Sequence, residues 1–150
     1  MRRAPAMPEL YQHLGDIAIQ ERRYAEATSH LRLYLALSAE TAFSGGVGWR
    51  IERGRAYSQL GLAYAELGRI EESVRALREA ARLSPRVAQI HVNLAIALEL
   101  AGRPAEARKA LERALDNEPG HTEARQRLAE LEAAQSEGGQ APVPAAPAPE

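Results

Sequence analysis

The chain contains no cysteine, and only one lysine, one phenylalanine and one tryptophan among its 150 residues. Without thiols there is no disulfide framework, no thiolate metal site and no cysteine nucleophile. No apolar run approaches the roughly 18 residues that a membrane-spanning helix needs, so no membrane insertion is expected. Neither sign of charge prevails: 19 Lys and Arg oppose 20 Asp and Glu, for a formal net charge of −1. That balance argues against a strong non-specific grip on nucleic acid or on an acidic membrane. Residues Met1 to Leu10 carry two arginines but no apolar signal-peptide segment, so a cytoplasmic address is the default expectation. Val, Ile and Thr supply 14 residues together, against 30 Ala and 18 Leu. Strand formers are therefore scarce, strong helix formers abound, and the fold class is all-α. With few aromatics, the core must come from many small contacts between helices.

The chemistry of catalysis is also missing. His13, His30, His91 and His121 stand apart, with no partner at metal-ligand spacing and no H-E-x-x-H. His91 reads as a packing residue and His30 as a solvated one. No serine lies in a G-x-S-x-G setting. Carboxylates alternate with arginines at i, i+4, as in Glu71 with Arg75, Arg108 with Glu112 and Glu123 with Arg127. Such pairs are ordinary on a solvated helix face. Gly45, Gly46 and Gly48 lack the lysine and spacing of a phosphate loop. Arg50, Arg53 and Arg55 are interrupted by Glu52 and lack interleaved aromatics. No catalytic residue, cofactor, metal or nucleic-acid partner is expected.

What is present is repetition. At an offset of 34, Leu60 recurs as Leu94, Ala63 as Ala97, Gly68 as Gly102, Leu77 as Leu111, Ala80 as Ala114 and Pro85 as Pro119. A fainter copy lies 46 residues upstream: Tyr11, Leu14, Gly15 and Leu31 fall on Tyr57, Leu60, Gly61 and Leu77. About twelve residues are thus inserted between the first and second units. Each unit reads as two helices. Tyr57, Leu60, Gly61 and Tyr64 form one stripe of the first. Gly68 ends it, and a second helix from about Ile70 to Leu83 stops before Pro85. Gly61 and Ala95, with Ala80 and Ala114, let the paired helices approach closely.

These residues resemble the signature of the tetratricopeptide repeat family, W-x2-L-G-x2-Y…A-x3-F…P. It appears here as Tyr57-x2-Leu60-Gly61-x2-Tyr64…Leu77…Pro85, with Ser73 at the usual alanine. The next unit reads His91-x2-Leu94-Ala95-x2-Leu98…Ala107-x3-Leu111…Pro119, and the first Tyr11-x2-Leu14-Gly15-x2-Ala18…Ala27-x3-Leu31. The resemblance implies a short right-handed α-solenoid of three helix pairs plus a C-terminal capping helix. Units are expected at about 8–41, 54–87 and 88–121, with a cap over 122–134 that opens on Thr122 as N-cap. Residues 1–7 form a lead, 42–53 an insertion, and 135–150 a disordered Ala/Pro-rich tail that could be a docking segment or a tether. The stretch from Trp49 to Leu67 is similar to the longer repeats of kinesin light chain and Pins-type adaptors, through Ala56-Tyr57-Ser58-Gln59-Leu60-Gly61. Trp49 is then either a core anchor or an exposed partner contact.

The family arrangement also implies a concave face lined by the first helix of every unit. Partner-binding candidates are Gln12, Asp16 and Ile19, then Arg55, Gln59, Leu62 and Glu66. The third unit adds Gln89, Val92, Asn93, Ile96 and Leu100, and the cap adds Arg127. The carboxylate clamp of chaperone-binding relatives is not reproduced. Asp16 or Leu62 stands where an asparagine belongs and Glu123 where a lysine belongs, while Asn93 and Arg127 match. The expected function is a non-enzymatic adaptor that takes a peptide or helix of a partner protein in the groove. The alternative is a self-assembling scaffold that forms homo-oligomers through repeat end faces or the Gly-rich insertion.

Overall fold

The computed structural model describes residues 7–41 and 48–139. Most of the expected lead, the first half of the insertion and the end of the tail lie outside the described residues. Seven helices and no strand occur among the described residues. In order they are α1 (Pro8–Gln20), α2 (Tyr24–Thr41), α3 (Gly48–Glu66), α4 (Ile70–Leu83), α5 (Ala88–Leu100), α6 (Pro104–Asn117) and α7 (Thr122–Gly138). Pairs α1–α2, α3–α4 and α5–α6 pack as hairpins; α2 leans on α3, α4 on α5 and α6 on α7. In addition α1 touches α3, and α3 touches α5, so the first helices of successive pairs share one side of the molecule. This is an all-α solenoid.

Local chemistry sets the helix ends. Pro8 and Pro104 open their helices where a missing N–H costs nothing. Gly68 and Gly102 close α3 and α5 with φ of 73° and 72°. Beyond each, the next amide reaches back to close the turn: Arg69 N to the Tyr64 carbonyl and Arg103 N to that of Leu98, both at 2.8 Å. The first unit makes the same closure, Arg23 N to the Ala18 carbonyl at 2.7 Å, but Arg22 holds the left-handed position with φ of 58°. A side chain there is strained where glycine is not.

The core repeats with the sequence. Leu31, Leu77 and Leu111 occupy the same place in successive pairs, and all are fully buried. Above the first two sit Gly15 and Gly61. A Cβ at Gly15 would lie 2.8 Å from the Leu31 side chain, and one at Gly61 would lie 2.5 Å from that of Leu77. Ser73, in place of alanine, is also fully buried and donates its hydroxyl to the Gly61 carbonyl at 2.7 Å. The buried polar atom thereby gains a partner and clamps α4 to α3. His91 is buried, and its Nε2 donates to the Pro85 carbonyl at 2.8 Å. Asn117 Nδ2 donates to the same oxygen at 2.9 Å, which fixes the α4–α5 turn against α6.

Helix α3 begins at Gly48, so its extra turns take up the second half of the expected insertion. Arg53 holds them down by donating to the Leu35 carbonyl at 2.6 Å and the Ser38 hydroxyl at 2.7 Å. Trp49 is half-buried, between its two expected readings. Several local expectations are corrected. Helix α7 continues to Gly138, past the expected boundary at Ala134, because Ala, Gln and Glu sustain a helix well. Its cap is His121, not Thr122: the ring Nδ1 accepts from Ala124 N at 3.3 Å. Glu71 pairs with Arg103 of the next unit at 3.2 Å rather than with Arg75, since the turn after α5 brings that guanidinium alongside. His30 is half-buried and stacks on Tyr11 at 6.4 Å between ring centroids.

Two substitutions test these contacts. Gly61→Leu should lower unfolding free energy by about 1–3 kcal/mol in urea titrations, because the branch must displace Leu77. Arg22→Gly should raise it by about 0.5–1 kcal/mol by relieving the left-handed strain.

Candidate peptide-binding face

The side shared by α1, α3, α5 and α7 carries the sequence-derived candidates, and a ladder of polar contacts crosses it. Gln12 donates to Glu52 Oε2 at 2.9 Å, tying α1 to α3. Asp16 accepts from Gln59 Nε2 at 2.6 Å and from Arg55 Nη2 at 3.2 Å. Arg55 also lies 3.7 Å from Glu52. Farther along, Asn93 Nδ2 donates to the Ser58 hydroxyl at 3.4 Å and Gln89 Nε2 to Asn93 Oδ1 at 3.1 Å. His121 Nδ1 accepts from a backbone amide, so the proton sits on Nε2, which donates to Gln89 Oε1 at 3.2 Å. Arg127 bonds Glu123 at 3.1 Å and approaches Glu99 at 3.9 Å.

These contacts sort the candidates. Arg55, Leu62, Glu66, Gln89 and Leu100 are exposed. Leu62 and Leu100 keep 41% and 59% of their surface in solvent and are the apolar points of this face. Asp16, Gln59, Asn93 and Arg127 are half-buried and present only their outer edges. Ile19 and Ile96 lean on the core and offer a partial apolar surface. Two expectations fail. Val92 is fully buried in the core shared by α4 to α7, because α5 is covered on both sides by its neighbours. Gln12 is buried under Glu52, which the extra turns of α3 bring over α1. Neither is available to a partner.

Glu99, which the repeat register also places on this face, is the carboxyl here whose ionisation departs from the ordinary. Burial raises its pKa; Arg127 opposes the shift and Glu130 adds to it. Its Oε1 is buried with no hydrogen-bond partner, and the Arg127 contact is too long to replace one. Gln59 Oε1 is likewise buried without a donor. The place of Glu99 on the face was legible from the repeat register, but its burial was not.

The electrostatics follow. Arg55 and Arg127 are both engaged by carboxylates of their own chain. Glu9 and Glu66 make no ion pair among the described residues, and Glu130 accepts only from Gln126. The face is therefore acidic, with apolar points at Leu62 and Leu100, and Arg55 and Arg127, its arginines among the described residues, are both already paired. Arg53 is turned inward onto α2, and Arg55 onto α1, so two of the three arginines of that basic cluster are engaged within the fold.

No curated protein matches the chain in sequence. Structural relatives are numerous and distant. MamA superposes with a TM-score of 0.77 at 20% identity, covering 88% of this chain and 70% of that one. The Sgt2 TPR domain from Aspergillus fumigatus gives 0.75 at 15% identity, with 100% and 95% covered. The first TPR of Spaghetti (RPAP3), bound to the HSP90 peptide SRMEEVD, gives 0.74 at 16% identity, with 89% and 96% covered. Sequence profiles described as tetratricopeptide repeat match residues 58–122, 101–145 and 8–41. With more than half of its length matched by these profiles and its helix pairs packed accordingly, the chain belongs to the tetratricopeptide repeat family.

Proposed function

We propose that the chain is a protein-interaction adaptor whose acidic concave face binds a basic, amphipathic segment of a partner. The observation that carries this reading is the pairing of exposed apolar side chains, Leu62 and Leu100, with carboxylates that have no cation of their own. A segment with a hydrophobic stripe would cover the leucines. Its lysines or arginines would complete Glu66 and Glu130, and would offer Glu99 a nearer partner than the long Arg127 contact. A relative of the same fold holds a peptide, which supports peptide recognition as the mode. That peptide, SRMEEVD, carries more acid than base. The face described above would repel such a ligand and favour the opposite charge.

A fluorescently labelled Leu/Lys amphipathic peptide tests the reading by anisotropy. Leu62→Lys/Glu66→Lys alters two exposed positions and should weaken binding by about tenfold or more, since it removes an apolar contact and reverses a charge. Equal affinity for this variant and the native chain would refute the concave site. The pH dependence has a definite sign. Because its pKa is raised, Glu99 takes up a proton before ordinary carboxylates as pH falls, so affinity for the basic peptide should begin to drop above the usual glutamate range. Glu99→Gln should bind more weakly at neutral pH and lack that early limb of the profile.

A further inference from the structure

The first hairpin carries an apolar face on its outer side that no element among the described residues covers. On α1, Leu10, Leu14 and Ile17 fall at i, i+4 and i+7, one stripe of the helix, and Met7 precedes them by a turn. Leu33 on α2 adds to it: Glu79, its equivalent one unit later, lines the cleft between α4 and the preceding α2. Met7, Leu10, Ile17 and Leu33 each keep 46% to 63% of their surface in solvent. A contiguous apolar patch of this kind marks an interaction surface.

The repeat identifies what kind of surface it is. Leu10, Leu14 and Ile17 hold the places of Ala56, Leu60 and Ala63 in the second unit, and of Ile90, Leu94 and Ala97 in the third. Those six residues are all buried. Ala56 and Leu60 cluster with Leu31, Tyr34 and Leu35 of α2, and Ala63 with Ala18 and Ala27 of the first hairpin. Leu94 and Ala97 cluster in the same way with Val74 and Leu77 of α4. The stripe is thus the seam side of a hairpin, the side that presses on a neighbouring hairpin. In the first unit it is bulkier than in the second, with leucine at the place of Ala56 and isoleucine at that of Ala63.

Charge and the opposite end of the solenoid say what covers it. The stripe contains no charged side chain, and Glu21, Arg23 and Glu26 at the adjoining turn pair with one another. Two copies of this face therefore meet without like-charge repulsion and without an unpaired charge to bury. The far end does not match it. Helix α7 turns Leu128 and Leu131 onto the core and shows Arg125, Gln126, Glu130 and Glu132 to solvent. A head-to-tail stack would desolvate those polar groups against leucine. We propose that the first hairpin binds the first hairpin of a second copy, so that the chain forms a two-fold dimer through α1 and α2. Helix α1 rises about 20 Å and two helices side by side span about as much, so the contact buries on the order of 1,000 Å² in total. That is the low end for a specific interface and suits a dimer that dissociates in the micromolar range. The concave side, built from other positions of α1 and α3, stays open in both copies.

Sedimentation equilibrium of the native chain is the test. Its mass should rise from monomer to dimer, and no further, between about 1 and about 300 μM. Leu10→Glu/Ile17→Glu and, separately, Leu33→Glu alter exposed residues on the two helices of the face. Each should weaken dimerisation about tenfold or more, with helical content unchanged by circular dichroism. Leu62→Lys/Glu66→Lys, on the concave side, should leave the dimer intact, so this inference and the peptide-binding reading fail separately. A labelled Leu10→Glu/Ile17→Glu chain should also fail to pair with the native chain. Pairing in that mixture would mean that the face meets a different surface, and would overturn the two-fold arrangement. The proposal is overturned as well if the native chain stays monomeric across the range, grows beyond a dimer, or dimerises equally with the stripe substituted. Capture by phosphatidylcholine vesicles through Leu10 and Ile17, with no dimer in their absence, would sink it too.

Discussion

The close approach of paired helices at Gly15, Gly61 and Ala95 governs the rest of this molecule. Under the two glycines lie Leu31 and Leu77, so near that a methyl group could not be added without displacement. Dispersion is short-ranged, and a wider gap forfeits much of it. Contact at this distance lets a core built mainly from alanine and leucine hold together with few aromatic residues. It also brings the Ser73 hydroxyl onto the Gly61 carbonyl, converting a polar substitution in a dry place into a cross-link. The spacing of the hairpins, and so the width of the clefts on both sides of the solenoid, follows from that approach.

Stacking makes two unlike surfaces from one repeated unit. On the side shared by the first helices, α1 and α3 press close enough for Asp16, Arg55 and Gln59 to bond across the gap. Those bonds engage Arg55, Glu123 engages Arg127, and an acidic surplus is left. On the opposite side the second helices stand apart, and the space between them is filled or empty according to the residues the first helix sends there. Tyr57 and Tyr64 occupy it in one junction; His91 and Leu98 leave it vacant in the next.

Much of the fold was legible because repetition removes ambiguity. A single run of alanine and leucine could be many things, but Leu60 recurring as Leu94 and Gly68 as Gly102 at a constant interval identifies a hairpin and its turns. The first unit was fainter because Arg22 takes the position of the helix-ending glycine, and only the backbone shows that the turn survives the substitution. Cap chemistry was less legible. Thr122 is the better N-cap by propensity, yet His121 fills the role because its ring is already held toward Gln89.

The amino-acid order alone determined the helices, their pairing and the family, because each depends on intervals of three, four and 34 residues that any reader can count. Availability was decided in three dimensions. Val92 and Ile96 look alike as candidate groove residues, but α5 is enclosed by neighbours on both sides and only Ile96 keeps a partial edge outside. Gln12 is hidden by Glu52, forty positions along the chain. Exposure is a property of what arrives from elsewhere, and ionisation follows it: Glu99 departs from an ordinary surface carboxyl because packing removes its water and offers Arg127 at too great a distance to replace it.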